Sequence, residues 1–382
     1  MSLLERYQQT RARTESLCEP LEVEDYIPQA VDFASPPKWH LAHVTWFFEE
    51  MILKSHLGDY VEYDPQYGFL FNSYYQTLGE RTLRSQRGVI TRPTVKDVYS
   101  YRKHVDNGMN KLLAQQLTSE VAALIVLGIN HEQQHQELLI TDLKYVFGLN
   151  PTFPIYQKDT NLLDDTNTDE GWLSIAEGNY EIGYADDGFY FDNEKGRHTV
   201  HLDSYQIARG LVTNAEYIEF IDAGGYENFQ YWLDDGWSWL DTQQIKHPLY
   251  WHRIDGEWFY YTLAGLKPIK SDAMLCHVSF YEAYAYAAWR GKRLATEFEW
   301  EVAANQLVWG KRWEWTASAY QAYPGFAISE GAVGEYNGKF MINQMVLRGA
   351  SVATTEGHSR STYRNFFQPF MQWQYSGIRL AK

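Results

Sequence analysis

Cysteine is nearly absent. Cys18 and Cys276 are the only two in 382 residues, and they lie far apart. That excludes a disulfide framework and fits a reducing cytoplasm. No run of about 18 apolar residues occurs, so no helical membrane span is expected. The first residues, Met1 to Thr14, are charged and lack the apolar stretch of a secretory leader. Positive charge is scarce too: 33 Lys and Arg face 49 Asp and Glu, a net charge of −16. Such a balance excludes nucleic acid as the expected partner, whereas a small cationic or zwitterionic ligand is tolerated. Internal repeats and low-complexity tracts are missing. Aromatic residues are abundant instead: 14 Trp and 29 Tyr supply core and aromatic-lined pockets. The length suggests two domains.

Residues 1–150 read as helical. Leu3, Leu4, Tyr7 and Leu17 suit a first amphipathic helix. Ser35-Pro36-Pro37 opens a second, running to about Ser55, with Pro in the first turn. Thr94 caps a third, from Val95 to about Gln116. Ser119 is the expected N-cap of a fourth, which ends at the Gly148-Leu-Asn-Pro151 stop. Four long helices predict a bundle. The connection between the second and third, about 58–93, is too long for a passive loop and points to function. Residues 151–171 are polar and acidic and read as a linker. From Trp172 the chain turns to short strand-like segments with Gly, Asp and Asn turns. Thr213 and Ser279 each open a short helix there, Ser279 with Glu282 in capping-box position. The expected fold class is α+β: a helical bundle (1–150), a linker (151–171) and an irregular, loop-rich α+β domain (172–382).

His131-Glu-Gln-Gln-His135 is the stretch that carries most chemistry. On a helix the two imidazoles share one face, about 6 Å apart along the axis. Neutral imidazoles at that spacing can share a transition metal. The letters also fit the zinc-hydrolase pattern H-E-x-x-H, with Glu132 as would-be general base. Against that stand Gln134 before the second His and the lack of a downstream ligand at protease-like spacing. His40 and His43, three apart in the second helix, offer a third ligand from a facing helix. Three neutral histidines with open positions suit Fe(II) with O₂, or catalytic zinc. A pure binding module would leave the three histidines unexplained.

Trp39-His-Leu-Ala-His43 and His131-x-x-Gln134-His135-x-Glu137 resemble the DinB-like bundle of the ergothioneine-pathway sulfoxide synthases. Later segments resemble the formylglycine-generating-enzyme fold (C-type-lectin-like) that these enzymes carry. Among them are Val212-Thr-Asn-Ala-Glu-Tyr, Gly291-Lys-Arg-Leu-Ala-Thr-Glu-Phe-Glu-Trp, Trp313-Glu-Trp-Thr and Tyr363-Arg-Asn-Phe-Phe. The segments follow the family order over nearly the whole chain. The resemblance implies a non-haem Fe(II) cofactor held by His43, His131 and His135, with His40 as supporting or core residue. It implies O₂-dependent joining of L-cysteine to hercynine (trimethylated histidine) as a sulfoxide. Histidine (the ovothiol route) and γ-glutamylcysteine are alternative substrates. Gln134 matches the residue that hydrogen-bonds the imidazole substrate. Tyr74 or Tyr75 would donate a proton, Tyr75 being preferred. Arg84, then Arg87, would hold the thiol substrate's carboxylate. Asn365, Phe366 and Phe367 would line the pocket, where aromatic faces attract a quaternary ammonium. Formylglycine generation itself is disfavoured: it needs two reactive cysteines in the C-terminal part, and only Cys276 is there.

Overall fold

The computed structural model describes residues 1–73, 82–159, 162–327 and 337–382. Tyr74, Tyr75 and Arg81 lie outside the described residues. The chain divides into two compact units. The first contains Met1–Pro151 together with Thr354–His358; the second contains most of the remainder from Thr152.

Four long helices build the first unit: α1 (Leu3–Ser16), α2 (Pro37–Phe48), α3 (Val95–Leu113) and α4 (Ser119–Leu149). Local chemistry sets their starts. Ser2 and Thr94 form capping boxes with Glu5 and Asp97, and Pro37 stands in the first turn of α2. The N-cap of α4 is Thr118, whose side chain accepts from the Val121 amide, and not the expected Ser119. Both residue types cap well, so the sequence leaves a one-residue ambiguity that the backbone resolves. α2 is continued by a π-helical turn, Glu49–Leu53, and a short turn, Lys54–His56. The following connection is only partly irregular, holding a helical turn at Tyr67–Leu70 and a 3₁₀ helix at Arg84–Val89.

Every residue of α2 is buried. It is the central helix and contacts both α3 and α4, while α1 packs on α4. A glycine permits the α2–α4 approach. A Cβ at Gly128 would lie 2.6 Å from a Phe48 ring carbon and 3.0 Å from one of Phe47. A buried ionic knot ties the four helices. Arg11 of α1 pairs with Glu132 of α4 (2.9 Å) and Asp106 of α3 (2.7 Å), and donates to Thr45 of α2 (2.9 Å). Arg102 of α3 reaches Glu132 at 3.3 Å, and the Thr14 hydroxyl donates to Glu132 at 2.6 Å.

The second unit is mixed. Strands β1 (Trp172–Ile175), β4 (Tyr205–Ala208), β13 (Leu380–Ala381) and β8 (Arg293–Leu294) form one sheet, in that order. Strands β11 (Asn365–Phe367), β10 (Met345–Gly349), β9 (Trp313–Ala319) and β12 (Ser376–Gly377) form another, in which β9 and β12 run parallel. Two further antiparallel sheets are a pair, β2 (Gly178–Ile182) with β3 (His198–Leu202), and a three-stranded sheet of β5 (Trp251–Ile254), β6 (Glu257–Thr262) and β7 (Gly265–Pro268). Capping boxes start the helices Asn214–Asp222, Phe280–Trp289 and Glu297–Ala303, from Thr213, Ser279 and Thr296. Buried arginines replace part of the apolar core: Glu314 binds Arg379, and Glu297 binds Arg348 and Arg364. The chain is therefore α+β, helical first and sheet-rich second.

Candidate metal centre

One helical turn separates His131 from His135 on α4, so both project from the same face. His43 on α2 meets them. The nearest ligand-capable atoms of His43, His131 and His135 all lie within 4.8 Å of one another, and all three rings are buried. Ring centroids are 5.0 Å apart for His43 and His131, 4.8 Å for His43 and His135, and 4.7 Å for His131 and His135. The Trp39 and Trp46 rings stack on His43 at 4.5 and 5.4 Å, and Phe47 packs on His131 at 4.8 Å.

Burial depresses all three basicities. His131 falls to about 4 by desolvation. His43 and His135 fall well below the ordinary histidine value, first by desolvation and then because each would charge beside its neighbours. The three imidazoles are therefore neutral at physiological pH, the form that binds metal. The His43 Nδ1–H donates to the Phe71 carbonyl at 2.7 Å, which leaves Nε2 as a lone pair. That Nε2 is buried without a hydrogen-bond partner among the described residues. Three neutral nitrogens, convergent and enclosed, fit a divalent transition metal of intermediate softness. Among the described residues no other group of His, Cys, Asp or Glu has this arrangement.

Glu132, the would-be base of the zinc-hydrolase alternative, belongs to the ionic knot instead. It is fully buried and held by Arg11, Arg102 and Thr14. Burial alone would raise its pKa, but the two guanidiniums and the hydrogen bonds outweigh it and keep the carboxylate charged. Its position one residue after His131 turns it about 100° around the helix. This geometry removes the base that the hydrolase reading requires.

The two arginines differ. Arg84, first in the sequence-based order, is exposed and donates to the Phe33 carbonyl. Arg87 is buried, lies 3.4 Å above the Trp39 ring, and donates to Ser35 (2.8 Å) and Ser73 (2.7 Å). Its charge contributes to the lowered basicity of His43 and His135. Of Arg84 and Arg87, the guanidinium near the histidines is thus that of Arg87. Gln134 is half-buried on α4, one residue before His135. Asn365, Phe366 and Phe367 form β11 in the second unit. There Phe366 stacks on Tyr320 at 4.1 Å, Phe367 meets Trp373 edge-on, and the Asn365 side chain accepts from the Phe366 amide.

Three features escaped the sequence reading. His40 and Asp142 form a buried pair beside His135. The Phe71 carbonyl orients His43. Thr354, Thr355 and His358 bind three consecutive-turn polar residues of α4, namely Glu137, Gln136 and Gln133. Sequence separations of 28 to 225 residues hide all of them.

Comparison with known proteins agrees with this layout. Residues 6–139 match the DinB superfamily, and residues 159–312 match the sulfatase-modifying factor enzyme 1-like domain. The chain is 29% identical to hercynine oxygenase of Mycolicibacterium smegmatis over 67% of its own length and 70% of the relative's. It is 29% identical to hercynine oxygenase of Mycolicibacterium thermoresistibile, over 66% of the chain and 67% of that protein. A formylglycine-generating enzyme of Thermomonospora curvata is 30% identical over 38% of the chain and 52% of that protein. The chain is thus similar to the DinB superfamily in its helical part and to the sulfatase-modifying factor enzyme 1-like domain after it, and hercynine oxygenases match it across about two thirds of its length.

Proposed function

We propose that this chain is an Fe(II)- and O₂-dependent oxygenase that joins hercynine to L-cysteine and delivers a hercynylcysteine sulfoxide. The observation that carries the reading is the buried, neutral His43–His131–His135 cluster on a chain whose relatives are hercynine oxygenases. His43, His131 and His135 would hold the iron. When bound, the iron supplies one-electron O₂ chemistry and open positions for substrate, which side chains alone cannot provide.

The protein's own residues bind and orient. Neutral Gln134 can donate to or accept from the substrate imidazole without competing as a charged ligand. Arg87, fixed over Trp39, offers a planar fork to a carboxylate. The Trp39, Trp46 and Phe47 rings pack against His43 and His131 and give that side of the site an apolar wall. The phenol of Tyr74 or Tyr75 would hand over a proton, a role that follows from the family resemblance. Asn365, Phe366 and Phe367 would bind the trimethylammonium and carboxylate of hercynine. Histidine and γ-glutamylcysteine are the competing substrates.

The test is anaerobic loading with Fe(II), followed by O₂ uptake with cysteine and either hercynine or histidine, with product mass recorded. Uptake with a hercynine–cysteine sulfoxide is expected. Preference for histidine would move the chain to the ovothiol route. Absence of uptake with every pair refutes the proposal.

A further inference from the structure

A fourth histidine stands behind the cluster. His40 Nδ1 lies 2.9 Å from His135 Nδ1, and His40 Nε2 lies 3.0 Å from Asp142 Oδ2. His40 and Asp142 are each 2% exposed. The backbone amide of Ser35, just ahead of α2, donates to the same Asp142 oxygen at 2.7 Å. Two nitrogens facing each other at 2.9 Å need one proton between them, and the question is which ring carries it.

The carboxylate decides. Asp142 Oδ2 already receives an N–H from Ser35 and acts as an acceptor. His40 must therefore present Nε2–H to it. A neutral His40 with its proton on Nε2 has a lone pair on Nδ1. That lone pair must then accept from His135, so His135 carries its proton on Nδ1. The remaining nitrogen of His135, Nε2, is left as a lone pair. From this chain of donors we infer that Asp142 and His40 act as a tautomer lock, fixing His135 so that Nε2 is its metal-ligating atom. The inference rests on the proposed metal-binding reading and specifies how this protein prepares one of its ligands.

The arrangement parallels the other side of the cluster. His43 donates Nδ1–H to the Phe71 carbonyl and keeps Nε2 free of a proton. Two of the three rings thus present Nε2 for the same reason: an oxygen acceptor consumes the Nδ1 proton, directly for His43 and through His40 for His135. Such partners set ring orientation and raise ligand basicity, and their loss typically costs 10- to 100-fold in metal affinity. His40 is a positioning residue here, acting through His135.

The experiment uses the full-length apoprotein with ¹⁵N-histidine. Long-range ¹H–¹⁵N spectra report the tautomer of each ring, and Co(II) titration reports affinity. In the wild type, His135 should show a protonated Nδ1 and an unprotonated Nε2. His40→Phe keeps a flat ring but removes the acceptor. It should give His135 a tautomer mixture and weaken Co(II) binding about 10- to 100-fold. Asp142→Asn retains an amide oxygen able to accept from His40 and should hold the wild-type tautomer, whereas Asp142→Leu should lose it. The Asp142 variants decide the matter if His40→Phe fails to fold. A wild-type tautomer and Co(II) affinity in both His40→Phe and Asp142→Leu would overturn the inference. If the wild type binds no Co(II), the metal reading fails, and the apoprotein spectra still decide whether the lock exists.

Discussion

Replacing Glu132 by Gln separates a structural carboxylate from a catalytic one. Glu132 is fully buried. Its Oε1 accepts from Thr14 at 2.6 Å and Arg102 at 3.3 Å, and its Oε2 accepts from Arg11 at 2.9 Å. A Gln keeps the shape, loses the charge and points an N–H₂ at one of these donors. Breaking a buried ionic pair by removing one partner costs roughly 3–5 kcal/mol. The lower end applies, because Arg11 keeps Asp106 and Thr45, and Arg102 keeps the Leu41 and Arg11 carbonyls. A loss of about 3 kcal/mol is a large share of the roughly 5–15 kcal/mol that holds a domain together. Urea unfolding followed at the helix band should show it, and hydrogen exchange should place it on α1, α3 and α4. Fe(II) affinity and turnover per folded molecule should stay near wild type, because the carboxylate stands about 100° around the helix from His131 and is engaged by Arg11, Arg102 and Thr14. Wild-type stability combined with lost turnover would refute the reasoning and restore Glu132 as a base.

His131→Ala should abolish stoichiometric Fe(II) uptake while the chain remains folded; retained high-affinity uptake, measured by equilibrium dialysis, would remove the three-histidine site. Gly128→Ala should destabilise the helical unit by about 1–3 kcal/mol despite the better helix propensity of Ala, because its methyl would sit 2.6 Å from the Phe48 ring. It should also weaken Fe(II) binding, as α4 moves away from α2; a rise in melting temperature would contradict the close packing. Glu282 in the second unit titrates unusually. Burial pushes it up to about 7, against hydrogen bonds from Ser279, Tyr226 and Gln372. A folded pKa above the unfolded one means the folded state holds more protons between about pH 4.5 and 7, so that contribution to stability falls as pH rises through this window. Glu282→Gln should flatten the fall; identical stability slopes for variant and wild type between pH 5 and 8 would exclude the effect.

What could be seen in the sequence is what local chemistry dictates. Thr94, Thr213 and Ser279 open helices because a hydroxyl and a carboxylate three residues on satisfy each other's amides, a contract settled within four residues. His131 and His135 share a face because the helix repeat puts them there. The same locality explains what stayed hidden. H-E-x-x-H specifies where Glu132 stands on its helix but not what it meets, and the partners that claim it come from 30 and 121 residues away. Arg84 and Arg87 look equivalent in a basic loop until Trp39, on another helix, gives one of them a face to lie on. His40 is a core histidine or a ligand by spacing alone; its relation to His135 and Asp142 appears only when α2 lies against α4. That approach depends in turn on Gly128, a residue with no chemistry of its own. The motif therefore supplies the ligand types, and the packing of a glycine against two phenylalanines determines whether those ligands can meet. Residues selected for closeness rather than reactivity are invisible to any reading of spacing, and they are the positions where substitution should uncouple metal affinity from the presence of the histidines.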